Sequence, residues 1–271
     1  EWTMSEQIYV NGFSTSLEEK IQLKSLKTVS GLEDVEFIRP GYAIEYDFFY
    51  PSQLKNTLES KAISGLFMAG QINGTSGYEE ASSQGIIAGI NASCFILDEN
   101  PLILKRDDAY IGVLIDDLIL KDTNEPYRMF TSRAEYRLQL RSSNADQRLL
   151  KKTKEYNLLD EKTVEKLSEK IEKTTNLVKY LENNNIYPEK INSRLEELDE
   201  KIIKEPTRMS NVLKRPKVSI SDMKIANEEN KNVLTDHMEE EILFDSETII
   251  KYSGYINRQK DEIYKNKGYE D

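Results

Sequence analysis

Apolar residues recur along this chain at helical spacing in some stretches and in short bursts or alternation in others. Ile21, Leu23 and Leu26 mark a helix over Glu18 to Val29, with Ser14-Thr15-Ser16 ahead of it as its predicted N-cap. Val35-Glu36-Phe37-Ile38 reads as a strand stopped by Pro40 and Gly41, and Tyr42 to Tyr50 as an aromatic-rich extended run. Pro51 to Ser60 fits a short helix with Leu54 and Leu58 inward. Asp108 to Leu120 is apolar through Tyr110, Ile111, Val113, Leu114, Leu118 and Ile119. Phe130 to Arg141 alternates strictly, which predicts a strand with one mostly apolar face and one charged face. Beyond Asn144 the pattern is helical and highly charged. It predicts helices over Glu161 to Glu182, ended by Asn183-Asn184-Asn185, over Asn192 to Lys204, and over Glu239 to Lys267.

One stretch combines both patterns. The apolar run Leu66-Phe67-Met68-Ala69 ends in Gly70, the polar loop Gln71-Ile72-Asn73-Gly74-Thr75-Ser76-Gly77-Tyr78 follows, and a helix of small residues runs from Glu79 to Ser93. A strand–loop–helix of this kind can bring backbone amides against a ligand, because the helix start offers unpaired N–H groups and a partial positive charge. It equally fits a buried strand packed tightly on a helix, with Gly70, Gly74 and Gly77 serving close approach. The loop has neither the G-x-G-x-x-G spacing of a dinucleotide-phosphate turn nor the Lys-Ser/Thr of a P-loop. Spacing alone leaves both readings open.

Composition narrows the chemistry. The 271 residues are 38% hydrophobic and 31% charged, enough for one large or two ordinary domains. The chain opens on Glu1 rather than Met and is expected to be a piece of a longer protein. No apolar run reaches the roughly 18 residues of a membrane span. One cysteine, Cys94, excludes an internal disulfide and fits a reducing cytoplasm; its apolar neighbours predict a buried thiol. One histidine, His237, together with one cysteine cannot build a Cys/His metal site, so no metal is expected. The net charge of −11 argues against nucleic-acid binding by bulk charge but leaves room for a local basic face.

The alternating segment supplies such a face. Arg133, Arg137 and Arg141 share its charged side and Arg128 lies just before it. Guanidiniums on a rigid face can grip phosphates bidentately; a solvated surface with Glu135 as internal partner is the competing reading. Asp116 and Asp117 invite an acid–base or metal reading, but neighbours on a helix diverge by about 100°, so a solvated edge or salt bridge is expected.

Several of these segments together resemble one family. Asn11-Gly12-Phe13-Ser14-Thr15-Ser16-Leu17, Arg39-Pro40-Gly41-Tyr42-Ala43-Ile44-Glu45-Tyr46-Asp47-Phe48-Phe49, the glycine loop, Tyr110-Ile111-Gly112-Val113-Leu114-Ile115-Asp116-Asp117-Leu118 and Glu125-Pro126-Tyr127-Arg128-Met129-Phe130-Thr131-Ser132-Arg133-Ala134-Glu135-Tyr136-Arg137-Leu138 are similar to the MnmG/GidA family. Asn144-Ala145-Asp146 and Tyr255-Ile256-Asn257-Arg258-Gln259 continue the likeness, while the helical middle is only loosely similar. Glu18 departs from the pattern, standing where the family usually has proline. A changed start to the helix is therefore expected.

The resemblance implies the FAD-containing large subunit of the enzyme that forms 5-carboxymethylaminomethyluridine at the wobble position of tRNA. It implies FAD, NADH and methylene-tetrahydrofolate as cofactors. It also implies a GTPase partner, MnmE, a homodimer within a heterotetramer, and a cytoplasmic location. The implied fold is an α/β segment of a discontinuous Rossmann-like FAD-binding domain followed by a mainly α-helical domain. Residues 1–104 would be the C-terminal half of the flavin domain, 105–150 a connecting segment with a basic strand, and 151–271 a helical domain incomplete at its end. The catalytic residues and the dinucleotide fingerprint would lie upstream. By the same resemblance Gln71 contacts the flavin, and Gly70, Asn73, Gly74, Thr75, Ser76, Gly77 and Tyr78 line it. Arg128 and Arg137 match positions linked to tRNA, with Arg133 and Arg141 as weaker members. Two alternatives stand beside this reading: a folate- and FAD-dependent tRNA uracil methyltransferase, which lacks the Tyr127-to-Leu138 segment, and a non-catalytic RNA- or partner-binding module.

Overall fold

The structure, a computed structural model, describes residues 7–121, 125–225 and 239–267; His237 lies outside them. It divides into two compact units, residues 1–49 and 50–271. Among the described residues no helix is long and apolar enough to cross a membrane.

The first unit holds α1 (Glu19–Leu26) and extended chain. Ser14 to Ser16 do not cap it. The N-cap residue is Glu18, without a side-chain cap, and Thr15 Oγ1 accepts instead from Leu17 N at 3.2 Å. Glu18 has φ −60°, the value proline imposes, so this departure from the family pattern asks for no change in the backbone. Gln22, 2% exposed, clasps the Arg-Pro-Gly-Tyr motif: its Oε1 accepts from Gly41 N at 2.8 Å and its Nε2 donates to Gly41 O at 3.0 Å. A Cβ on Gly41 would lie 2.5 Å from Phe13 O, so this close pass needs glycine. Neither Val35–Ile38 nor Tyr42–Tyr50 forms a strand.

The second unit begins with a 3-10 turn, Pro51–Gln53, where a longer helix is expected. Helices α2 (Tyr78–Leu97) and α3 (Tyr110–Leu120) follow. Leu54, Leu58, Ile87, Ala88, Leu102 and Ile115 form one core that crosses residue 104, with Phe67, Met68 and Ala69 packed against it. The run Leu66 to Ala69 makes only an isolated bridge, Glu59 with Phe67. The expected strand over Phe130 to Arg141 is also absent: Thr131–Arg133 is a 3-10 turn, and Gln139 N and Leu140 N both bond Tyr136 O. Alternation marks side chains that can face two ways, but a strand needs a neighbour for its ladder, and among the described residues this segment has none.

The remainder is helical: α4 (Ala145–Glu155), α5 (Glu161–Asn183), α6 (Pro188–Glu197), α7 (Met209–Leu213), α8 (Ile220–Ile225) and α9 (Glu240–Lys267). A two-residue ribbon, β1 (Asn185–Ile186) against β2 (Thr207–Arg208), is the one sheet among the described residues. Asp160 starts α5, accepting from Thr163 N at 2.9 Å, and Pro188 opens α6. The predicted helix to Lys204 ends early because Asp199 turns left-handed, φ 52°, and Glu200 N closes on Leu195 O at 2.8 Å. Leu177 and Leu181 of α5, Leu195 of α6, Leu213 of α7 and Ile250 of α9 share a buried core. Between helices, Lys170 Nζ bridges Asp146 of α4 at 2.9 Å and Glu241 of α9 at 2.8 Å. Burial disfavours its charge, but Glu241 and Asp146 outweigh that and hold it protonated well above the ordinary lysine value.

Two internal supports fix the part that carries the glycine loop. Asn91 of α2, 2% exposed, accepts from Leu102 N at 2.7 Å and donates to Leu102 O at 3.0 Å and Thr57 O at 3.2 Å. Asp117 of α3, fully buried, accepts from Arg106 Nη1 and Lys121 Nζ at 2.7 Å each and from Tyr127 OH at 3.0 Å. The same guanidinium reaches Asp116 at 2.9 Å and Glu135 at 2.6 Å. The paired acids are therefore a salt-bridge node, and its Asp117 half is buried rather than solvated. Burial would raise the Asp117 pKa, but the bonds from Lys121, Arg106 and Tyr127 outweigh it and hold the carboxyl below the usual range.

Asn91→Leu should remove both partners of Leu102 and cost about 2–3 kcal/mol, since buried donors and acceptors left unmade are expensive. Thermal unfolding checks this, and an unchanged midpoint would show the clasp to be dispensable. A carboxyl with a depressed folded pKa adds stability above its ordinary pKa and loses it as pH falls through the folded value. Asp117→Asn should therefore lower the melting temperature near neutrality. Its deficit against wild type should shrink as pH drops below about 4. A deficit independent of pH would mean that shape, not charge, holds the node.

Candidate functional site

The glycine loop is held from inside by one side chain. Gln84 of α2, fully buried, accepts from Asn73 Nδ2 at 2.8 Å and Gly70 N at 3.2 Å. Its Nε2 donates to Thr75 Oγ1 at 3.0 Å and Glu80 O at 3.1 Å. Thr75 passes the chain on, donating to Gly70 O at 3.0 Å, and Asn73 Nδ2 also donates to Met68 O at 2.9 Å. Asn73 and Thr75, 0% and 3% exposed, point into the protein; they shape the loop and offer no side chain outward. Gly70 is buried with its N–H used, Gly74, Ser76 and Gly77 are half-buried, and Gln71 and Tyr78 are exposed.

The helix start is bare. Gly77 precedes α2 with φ 112°, no side chain caps it, and the first helical bond is Ala81 N to Gly77 O at 3.2 Å. The amides of Tyr78, Glu79 and Glu80 thus precede the helical ladder, as first-turn donors do. Glu79 and Glu80 sit in that same turn and offset part of its positive end. What the turn has to offer is N–H donors more than net positive charge.

The loop and the arginine segment meet through backbone. Ser76 N donates to Tyr127 O and Tyr127 N donates to Gly74 O, both at 2.8 Å, as a parallel bridge between Thr75 and Tyr127. Glu80, 4% exposed, reinforces the join by accepting from Met129 N at 2.9 Å. Its second oxygen, Oε2, is buried without a hydrogen-bond partner. Glu80, Ser83, Tyr110, Leu114, Arg128 and Met129 line most of a cleft of about 250 Å³.

The four arginines do not share a face. Arg133 donates from Nε to Arg128 O at 2.9 Å and stacks its guanidinium 4.5 Å from the Tyr127 ring centre, so it fastens the segment to itself. Arg141 donates to Leu138 O and is partly buried, and burial depresses its pKa. Arg128 and Arg137 are exposed, and among the described residues neither has an ion pair. Sequence reading missed Gln84, Glu80 and Arg106. The first two had a visible signal: polar residues spaced by four on the same face of α2 as Ile87, Ala88, Asn91 and Cys94.

This architecture has known counterparts. The family profile described as glucose inhibited division protein A matches residues 1–100. The profile for the tRNA modifying enzyme MnmG/GidA C-terminal helical domain matches residues 161–260. The chain is 48% identical over 265 residues to the tRNA uridine 5-carboxymethylaminomethyl modification enzyme MnmG of Christiangramia forsetii, covering 98% of this chain and 42% of that protein. It is 48% identical over 267 residues to the MnmG of Thermodesulfovibrio yellowstonii, again covering 98% and 42%. Among solved structures, Aquifex aeolicus GidA in its form II crystal superposes with a TM-score of 0.77 at 36% identity, covering 95% of this chain and 40% of that one. The chain thus spans about two fifths of the length of the relatives it matches, and across that span it belongs to the MnmG/GidA family.

Proposed function

We infer that this chain is the flavin-closing and RNA-facing part of an FAD-dependent enzyme that modifies the wobble uridine of tRNA to its 5-carboxymethylaminomethyl form. The observation that carries this reading is the backbone bridge between Thr75 and Tyr127. It couples a loop with free first-turn amides to a segment with two unpaired arginines. A cofactor surface and an RNA surface thereby share one rigid join.

The residues fit a flavin in part. Gln71 and Tyr78 are exposed, Gly74 and Gly77 leave backbone uncovered, and the first-turn amides are donors for ring oxygens or nitrogens. Asn73, Thr75 and Gly70 would act indirectly, by fixing the loop through Gln84. When bound, FAD supplies the redox step, with NADH and methylene-tetrahydrofolate as its partners in this reading. The loop here would orient the ring and exclude water from one side of it. The Rossmann-like half-domain belongs to the same reading: exposed apolar residues such as Tyr42, Ile44 and Tyr46 in extended chain would find strand partners elsewhere in a longer protein. So do the 1–104, 105–150 and 151–271 division, a GTPase partner of the MnmE type, a homodimer and heterotetramer, and the cytoplasmic location.

Arg128 and Arg137 are assigned to the RNA phosphates because they are exposed and unpaired, while Arg133 and Arg141 are committed to their own segment. In a full-length protein carrying this chain, Arg128→Ala and Arg137→Ala should each weaken tRNA binding and reduce the salt slope by about one, leaving flavin content unchanged. Arg133→Ala should instead lower the melting temperature, because it removes the stack on Tyr127. If Arg128→Ala and Arg137→Ala both bind tRNA like wild type at moderate salt, the assignment fails. The full-length protein should also purify with flavin absorbing near about 450 nm. Gln71→Ala should release that flavin more readily at an unchanged melting temperature. A colourless wild type would favour the binding-module alternative, and unaltered retention in Gln71→Ala would leave Gln71 a structural residue.

A further inference from the structure

The arginine segment carries one large side chain that its own fold does not use. In an extended run, side chains two residues apart share a side. Tyr127 and Met129 share the inner one: both pack beside Leu114 and Leu118, and Tyr127 OH lies 3.4 Å from Met129 Sδ. Arg128 and Phe130 are left on the outer side, and both are exposed. Phe130 keeps 56% of its surface open, and among the described residues it joins no buried core and no ring contact. Its backbone is fixed nonetheless. Met129 N is bonded to Glu80 at 2.9 Å, Phe130 O accepts from Arg133 N at 2.9 Å, and Phe130 itself is extended, φ −113° and ψ 147°.

An exposed apolar side chain by itself calls for no explanation. The surroundings set this one apart. Arg128 and Arg137 stand exposed and without ion pairs among the described residues, in a chain whose net charge of −11 leaves acids in excess. Next to the ring, Thr131 and Ser132 are exposed and polar. A protein partner would ask for a wider apolar patch. A flat ring on a rigid, locally cationic edge is what an unpaired base requires: a face to stack on and a charge for the phosphate beside it.

We propose that Phe130 is a stacking platform for an unpaired base of the RNA, with Arg128 holding the phosphate beside that base. The assignment rests on the RNA-modifying reading above and adds to it a residue that takes a base rather than the backbone. Every base has a π-face, so stacking is tolerant of base identity. Phe130 therefore selects unpaired over paired RNA, not one base over another. It acts by binding alone; no bond to it forms or breaks.

The experiment measures binding of an anticodon stem-loop RNA and of a duplex RNA of equal charge, using the full-length flavin-bound protein at fixed salt. Phe130→Ala should weaken stem-loop binding by about fivefold or more, the low end of what one base–aromatic stack contributes. The duplex, whose base faces are covered by their neighbours, should bind both proteins alike. Phe130→Tyr should bind the stem-loop as wild type does. Both variants should keep the flavin and the melting temperature, because the ring is exposed. An abasic nucleotide moved around the loop should weaken wild-type binding at one position, and there Phe130→Ala should cost nothing more. The proposal is overturned, with the RNA-modifying reading intact, if Phe130→Ala binds the stem-loop like wild type, or loses stem-loop and duplex affinity equally. A lowered melting temperature with unchanged RNA binding would overturn it too and make Phe130 a protein contact. So would wild-type binding that no abasic position weakens, a result that needs no variant to fold. If wild type binds neither RNA, the functional reading fails and the proposal with it.

Discussion

An extended backbone that does not join a sheet must still place its N–H and C=O groups, and in this protein buried or half-buried carboxamides take that role. Gln22 holds both polar groups of Gly41, Asn91 those of Leu102, and Asn192 those of Ile203, each through a donor and an acceptor on one side chain. A carboxamide is a peptide unit on a stalk, so each pair imitates one rung of a β-ladder. Gln84 does the same for a turn rather than a strand, with three bonds that close the glycine loop on itself and a fourth to Glu80 O of its own helix. The shape of the loop follows from that side chain more than from its glycines.

The loop's shape becomes a site because it is not alone. Its outer edge bonds Tyr127, Tyr127 bonds Asp117, and Asp117 gathers Arg106 and Lys121. Burying a carboxylate costs several kcal/mol unless charges and donors compensate it, and here three donors do. Burial and the bond it donates to Asp117 push the Tyr127 phenol well above its ordinary pKa. It therefore serves as a fixed donor across the working pH range. Charge thus divides by function within ten residues. Arg133 is spent on structure, Glu135 on Arg106, and Arg128 and Arg137 are left to solvent.

The helices were legible because each carries its own hydrogen bonds; α1, α2, α3, α5 and α9 lie within a few residues of where their apolar spacing puts them. The strands were not, because a strand is a property of two segments and periodicity reports one. Phe130 to Arg141 shows the difference. Its alternation is perfect, yet Phe130 is 56% exposed while Ala134 and Leu140 are buried, an arrangement set by turns around Arg106 and Tyr136. Cys94 is buried as its neighbours require. The arginine pairings were beyond reach of the sequence, since Arg106 and Glu135 lie far apart along the chain and meet only after α3 is placed.

Gly77 and Glu80 show how the join between loop and arginine segment shapes the start of α2. A helix start with no cap and two acids is a poor helix start judged alone, because the usual Ser, Thr or Asp is missing. A side chain at position 77 would occupy the space into which Glu80 Oε2 points, and a capped helix would spend amides the loop otherwise keeps free. The local rule is broken where three groups converge: bare amides, a buried acceptor and an unpaired arginine. Native sequences tolerate such violations at positions under functional demand, and the stability lost there is offset by the Gln84 and Asp117 networks on either side.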